Sequence, residues 1–158
     1  MPHYQSAELR FNVPDGWQDR TIVSYAAPAK PGRAITPNLV VTRDPVDGRE
    51  PVAASADRQL VEFAKRLDGF ALKQRKERTL GGLPAVEMVF TWDNPLGVLQ
   101  QKQVCVLVAR RTMLNFTLSA AEEDFAGMEP GFDTILGSLR FPETPGWNPA
   151  PAANRMRY

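Results

Sequence analysis

The chain has 158 residues and a mass of 17.6 kDa, with 19 Lys+Arg against 18 Asp+Glu for a formal net charge of +1. That is enough chain for one domain with its own core, and too balanced a charge for the basic footprint that nucleic-acid binding draws on. One cysteine, Cys105, and one histidine, His3, leave no disulfide, no multi-ligand metal site and no Ser-His-Asp triad to assemble. Neither a cofactor, a metal nor a catalytic residue is therefore expected.

Glu8, Arg10, Asp15, Asp19 and Arg20 interrupt the first thirty positions, so no signal-peptide core forms there. Nothing approaches the ~18 apolar residues of a membrane span. The longest apolar run, 104–109, is β-branched and of strand length. These features predict a soluble, cytoplasmic protein without stable membrane insertion.

The first alternation of polar and apolar residues, 8–13, predicts a half-buried strand closed by a Pro14-Asp15-Gly16 turn. Residues 21–27 and 38–43 read as two further strands, separated by the Pro28-Ala29-Lys30-Pro31-Gly32 loop. A helix is predicted over 51–67. Pro51 suits its first position, Ala53, Ala56, Leu60, Phe63, Ala64 and Leu67 share one face, and Asp68-Gly69 stops it.

The second half reads as a meander. Residues 70–79 make a lysine- and arginine-rich strand suited to a sheet edge, and Gly81-Gly82 turns the chain. In the next strand, 84–92, Val86, Met88, Phe90 and Trp92 fall on one face, with Ala85, Glu87, Val89 and Thr91 on the other. Residues 98–110 then pair with 113–120 through a turn near Arg110-Arg111. The preferred register sets Val104, Val106 and Val108 against Leu118, Phe116 and Leu114, since a one-residue slip would push Gln103 into the core. A second helix is expected from about 130 to 139, striped by Phe132, Ile135, Leu136 and Leu139.

From 142 onward the prolines at 142, 145, 149 and 151 and the shortage of apolar residues predict a flexible tail. The expected fold is α+β: one domain over 1–141, an antiparallel sheet of about seven strands, and helices packed on one face. The other face then stands open, shared by Ile22, Ser24, Val40, Thr42, Val89, Thr91, Gln103, Cys105 and Thr117.

No motif points to catalysis. Glu122-Glu123-Asp124 suits a helix N-terminus, where negative charge meets the positive end of the dipole, better than acid–base work. The Lys73, Arg75, Lys76 and Arg78 run fits a solvated edge, and Cys105 a small buried filler.

Several segments together resemble the DcrB-like family, in its branch of type VI secretion effector-associated (Eag) chaperones. They are 13–19 (Val-Pro-Asp-Gly-Trp-Gln-Asp), Val40-Val41-Thr42-Arg43-Asp44, Arg58-Gln59-Leu60, Leu67-Asp68-Gly69-Phe70, 82–86 (Gly-Leu-Pro-Ala-Val) and Lys102-Gln103-Val104. Their order and spacing, across roughly 4–141, carry the resemblance. It implies a DcrB/PsbP-like homodimer without enzymatic activity, whose partner is a secreted effector with N-terminal transmembrane segments. It also implies client-binding positions at Ile22, Ser24, Val40, Gln59, Leu67 and Gln103. The alternative expectation is a DcrB/PsbP-like domain docking a different protein.

Overall fold

The computed structural model describes residues 3–108 and 111–141. The proline-rich stretch from 142 onward and the tip of the expected hairpin at 109–110 lie outside the described residues. A small two-stranded ribbon, β1 (His3–Gln5) and β2 (Arg10–Asn12), precedes the main sheet. That sheet holds β3 (Val23–Ala26), β4 (Asn38–Pro45), β5 (Ala71–Leu80), β6 (Leu83–Asn94), β7 (Gly97–Val108) and β8 (Thr112–Ala121), in the order β3-β4-β8-β7-β6-β5. Every pairing is antiparallel. Helix α1 (Val52–Arg66) links β4 to β5, and α2 (Glu122–Gly137) follows β8 directly.

The α+β class stands, but the two helices occupy opposite faces of the sheet instead of sharing one. Ala85, Val89, Val104, Val106, Phe116, Leu118 and Ala120 pack with Phe125, Phe132 and Leu136 of α2. Val86, Met88, Phe90, Cys105 and Met113 pack with Val52, Ala56, Leu60 and Phe63 of α1. The reason is chain geometry. β6 is apolar on both faces, so each of its alternating rows needs its own cover.

Helix α1 keeps almost the predicted bounds, with Pro51 and Leu67 as its two caps. Phe63 stacks at 5.2 Å from Phe90, and Phe70 lies 5.4 Å from Phe90 on the same side. Gly69 follows with φ +63, a left-handed conformation that favours glycine, and a Cβ there would also push the Asp93 carboxylate aside.

Helix α2 begins eight residues before the expected start at 130 and carries Pro130 inside it. A proline at that depth costs about 3 kcal/mol. The burial of Phe125, Phe132 and Leu136 on the sheet offsets that cost, and Phe125 and Phe132, seven positions apart, meet at 5.7 Å. The acidic triplet 122–124 is its first turn.

The β7–β8 register is two residues away from the preferred one. Val104 faces Phe116 and Val106 faces Leu114. A shift of two preserves which side each residue faces, so the division between core and amide faces survives. Val89 and Thr91 are a true correction: Val89 pairs with Lys102 and lies on the α2 side, whereas Met88 pairs with Gln103.

The α2 side also buries charge. Glu87 binds Arg78 at 2.7 Å and Lys76 at 3.4 Å, and Lys102 binds Glu129 at 3.0 Å. Burial works against the Lys102 charge, but the Glu129 hydrogen bond and the Glu87, Glu129 and Asp133 carboxylates outweigh it and hold its pKa above the ordinary lysine value.

Phe90→Ala removes the ring that joins α1 to the sheet and should cost about 3–5 kcal/mol in urea unfolding. Tyr25→Ser, at a site 71% exposed, should change stability little by comparison.

Candidate functional site

The second face of the sheet carries two different surfaces. Over β6 and β7 it is closed by α1. Over β4 and β8 it shows Asn38, Val40, Thr42 and Asp44 beside Asn115, Thr117 and Ser119, with Ser24 and Ala26 continuing it onto β3. Between this strip and the flank of α1 runs a cavity of about 710 Å³. Its walls include Thr42, Asp44, Gln59, Phe63, Gln103 and Asn115.

A chain of amides and hydroxyls forms the floor. Gln103 donates from Nε2 to Gln59 Oε1, crossing from β7 to α1. Gln59 donates in turn to Asn115 Oδ1 at 3.1 Å, and Asn115 donates to Asp44 Oδ2 at 2.8 Å and Thr42 Oγ1 at 3.4 Å. Thr117 donates to Gln103 Oε1 at 3.4 Å. A parallel ladder crosses the same face further along, where Trp92 Nε1 donates to Gln101 Oε1 and Gln101 Nε2 to Ser119 Oγ, each at 2.8 Å. Buried amides need such partners, because an unmade hydrogen bond costs about 1–3 kcal/mol.

Cys105 sits under this network, with its sulfur 3.6 Å from both Gln103 Nε2 and Gln59 Oε1. Burial pushes its thiol up to about 11, against a smaller opposing effect of the Gln103 hydrogen bond. A thiol so held is no nucleophile at neutral pH.

A second cavity, of about 740 Å³, adjoins the first: Thr42 and Asp44 line both. Its other wall is the segment that carries Asp19, Arg20 and Ile22. Asp19 is held below the usual carboxylate range by the hydroxyl and backbone N–H of Thr21, with Arg43 adding to the effect at 3.4 Å.

The six positions implied by the resemblance are distributed unevenly around these cavities. Gln59 and Gln103 meet in the floor of the first, and Gln103 is only 5% exposed. Val40 and Ser24 are register partners on the open strip. Ile22, 64% exposed, precedes β3 and lines the second cavity. Leu67 stands apart: it packs among Phe63, Phe70 and Phe90 at the end of α1. Asn115, Thr42 and Asp44 were not singled out as site residues in the sequence. Period-two alternation from Gln103 and Thr117 could have found Asn115, but its bond to Asp44 depends on the pairing of β4 with β8, which no local signal announces.

Asn38 adds one further feature. Its Oδ1 is buried and meets no donor among the described residues, although Ser119 lies opposite it in the register. Asn38→Val should therefore keep or raise the unfolding free energy in urea, by up to about 1 kcal/mol, because valine suits a strand and removes an unpaired acceptor. Cys105 in the native protein should resist thiol reagents at pH 8 and react promptly in denaturant.

Among the described residues no helix is long and apolar enough to cross a membrane, and no group of three or more His, Cys, Asp or Glu side chains converges as a metal site would need. The comparisons with known proteins agree with the architecture. The solved structure of PA94 from Pseudomonas aeruginosa, described as a protein of unknown function and putative regulator, superposes with a TM-score of 0.75 at 28% identity, over 96% of this chain and 98% of that one. LpqN of Mycobacterium tuberculosis, involved in cell envelope biogenesis, shares the fold at TM-score 0.57 and 16% identity, over 87% of this chain and 88% of its own. The PsbP protein of Synechocystis does so at 0.51 and 15%, over 87% and 89%. In sequence, the chain is 31% identical over 139 residues to Effector EagT6 of Pseudomonas aeruginosa, spanning 88% of this chain and 95% of that protein. Residues 8–138 match the DcrB family, and the chain belongs to that family, in the branch that holds Effector EagT6.

Proposed function

We propose that this protein is a cytoplasmic, non-enzymatic chaperone that shields the N-terminal transmembrane segments of a type VI secretion effector until the effector is loaded for export. The observation that carries the reading is the half-covered face: α1 closes β6 and β7, and leaves beside it a strip with an apolar side chain, Val40, set among hydroxyls and amides. The likeness to Effector EagT6 supports an effector of type VI secretion as the partner.

An uncovered segment of ~20 apolar residues has no stable place in water, and each large side chain left exposed costs about 1.5–3 kcal/mol relative to burial. Transmembrane helices also carry glycine, alanine and serine where they approach one another closely, and hydroxyls and amides serve as glue at such contacts. A wall of Thr42, Thr117, Gln59 and Gln103 offers that chemistry, with Val40 and Ile22 for the apolar remainder. It grips without the permanence of a wholly apolar face, which suits hand-off.

The homodimer in this proposal rests on the sheet edges. The β5 edge is guarded by Lys73, Arg75, Lys76 and Arg78 and by an irregularity between Leu72 and Gln74. The β3 edge, Val-Ser-Tyr-Ala, has no charge or proline, and Tyr25 and Val23 stand exposed on it beside Ile22. Such an edge is a template for a second strand.

Co-expression with an effector that bears an N-terminal hydrophobic segment should keep that segment soluble without detergent. Ile22→Asp should weaken capture about ten-fold or more and leave the unfolding midpoint near wild type, since Ile22 is exposed. A segment equally soluble without the chaperone would remove the proposal. Light scattering after size exclusion should give twice the chain mass for wild type and the single mass for a Val23→Lys, Tyr25→Lys double variant; a monomeric wild type would remove the dimer.

A further inference from the structure

Asp44 lies where the two cavities meet, near the end of β4, and its carboxylate is only partly used. Oδ2 accepts from Asn115 at 2.8 Å, and among the described residues no lysine or arginine lies within ion-pair distance of it. Arg111, two residues before Met113, the register partner of Asp44, has its carbonyl on the Val46 N–H and makes no ion pair with Asp44; the other arginines nearby are bonded elsewhere or distant. Arg43 binds Asp19 at 3.4 Å, and Arg58 binds Glu50 at 2.5 Å. Arg20 donates to Gln18 at 3.3 Å. Arg66 lines the first cavity, but seven residues beyond Gln59, about 10 Å further along α1.

The carboxylate is also held in place. Asn115 uses both Nδ2 hydrogens, one on Asp44 and one on Thr42, and Gln59 fixes its carbonyl from the helix. The result is a fixed negative charge at one end of a strip that runs six residues back along β4 to Asn38, roughly 20 Å of strand at ~3.3 Å per residue. A helix of ~20 residues is about 30 Å long and overruns the strip at one end; laid with its other end over the close of β4, it has a terminus near Asp44. Hydrophobic segments that span membranes are commonly flanked by lysine or arginine, whose long stems let the charge reach past the apolar surface.

We propose that Asp44 receives a lysine or arginine flanking the hydrophobic segment of the client, and so sets which way the segment lies in the groove. This rests on the groove being the client site. The free carboxylate oxygen takes the ammonium or guanidinium, while Asn115 keeps the other oxygen fixed. Charge complementarity argues for a basic flank, because an acidic one would meet Asp44 head-on.

The test uses the full chain and a 20-residue leucine–alanine–glycine segment carried on a soluble domain, with two lysines at its N-terminal end, two at its C-terminal end, or two glutamines in their place. Wild type should bind one of the lysine forms about five-fold more tightly than the glutamine form at ~50 mM salt, and the gap should close near 0.5 M salt as screening sets in. Asp44→Asn keeps an oxygen for Asn115 and should bind all three segments alike, with its unfolding midpoint unchanged. Persistence of the lysine preference in Asp44→Asn would overturn the proposal, as would a wild type that binds all three equally; the second result leaves the groove itself standing. A wild type that binds none of the segments would overturn the groove reading and this one with it.

Discussion

The contact between Gln59 of α1 and Gln103 of β7 governs the shape of this protein's second face. Two amides brought together between a helix and a strand must find partners for what remains of their hydrogen-bonding capacity, and they do so through Asn115, Thr117 and the Cys105 sulfur. Sliding α1 toward β4 would break that set and leave buried amide groups unpaired, at about 1–3 kcal/mol each. At the other end of the helix, Phe63 and Phe70 against Phe90 prevent the same movement by packing. The helix is thus pinned over β6 and β7 and reaches Met113 and Asn115 of β8, while Val40 and Thr42 of β4 and Thr117 of β8 stay half-buried.

The two faces obey different rules. Toward α2, valines, leucines and phenylalanines interlock, and the charges buried beside them are neutralised in pairs: Glu87 by Arg78 and Lys76, Lys102 by Glu129 and Asp133. Toward α1, β8 turns Asn115, Thr117 and Ser119, and β4 turns Asn38, Thr42 and Asp44. The polar side chains of this strip are held by one another, Asn115 by Asp44, Thr42 and Gln59.

Much of this was legible in local pattern. Pro51 and Asp68-Gly69 marked the two ends of α1 within a residue, because capping chemistry is a property of a few neighbouring positions. The alternation in β6 and β7 told which residues share a side, and the two-residue register shift between β7 and β8 left that intact. Less was legible where a local rule met a stronger tertiary one. Pro130 looked like a helix start, yet the burial of Phe125 carries α2 through it from Glu122. Gln59 and Gln103, implied as binding positions by the resemblance, also bond to each other, and Leu67, half-buried, packs against the cluster that holds Phe90.

The sequence by itself determined most of the element list, though not β1 or the start of α2, with the two-sided character of the central strands and the want of cysteine and histidine for metal or disulfide chemistry, because periodicity and composition act over a few residues. Only the tertiary structure decided that the helices take opposite faces, that Val89 turns away from Gln103, and that Asp44, Asn115 and Gln59 form one wall. Those outcomes depend on which strands pair and where a helix comes to rest. Contacts between residues as far apart as Asp44 and Asn115 are settled by the burial and hydrogen-bonding balance of the whole sheet, which no single stretch of chain records.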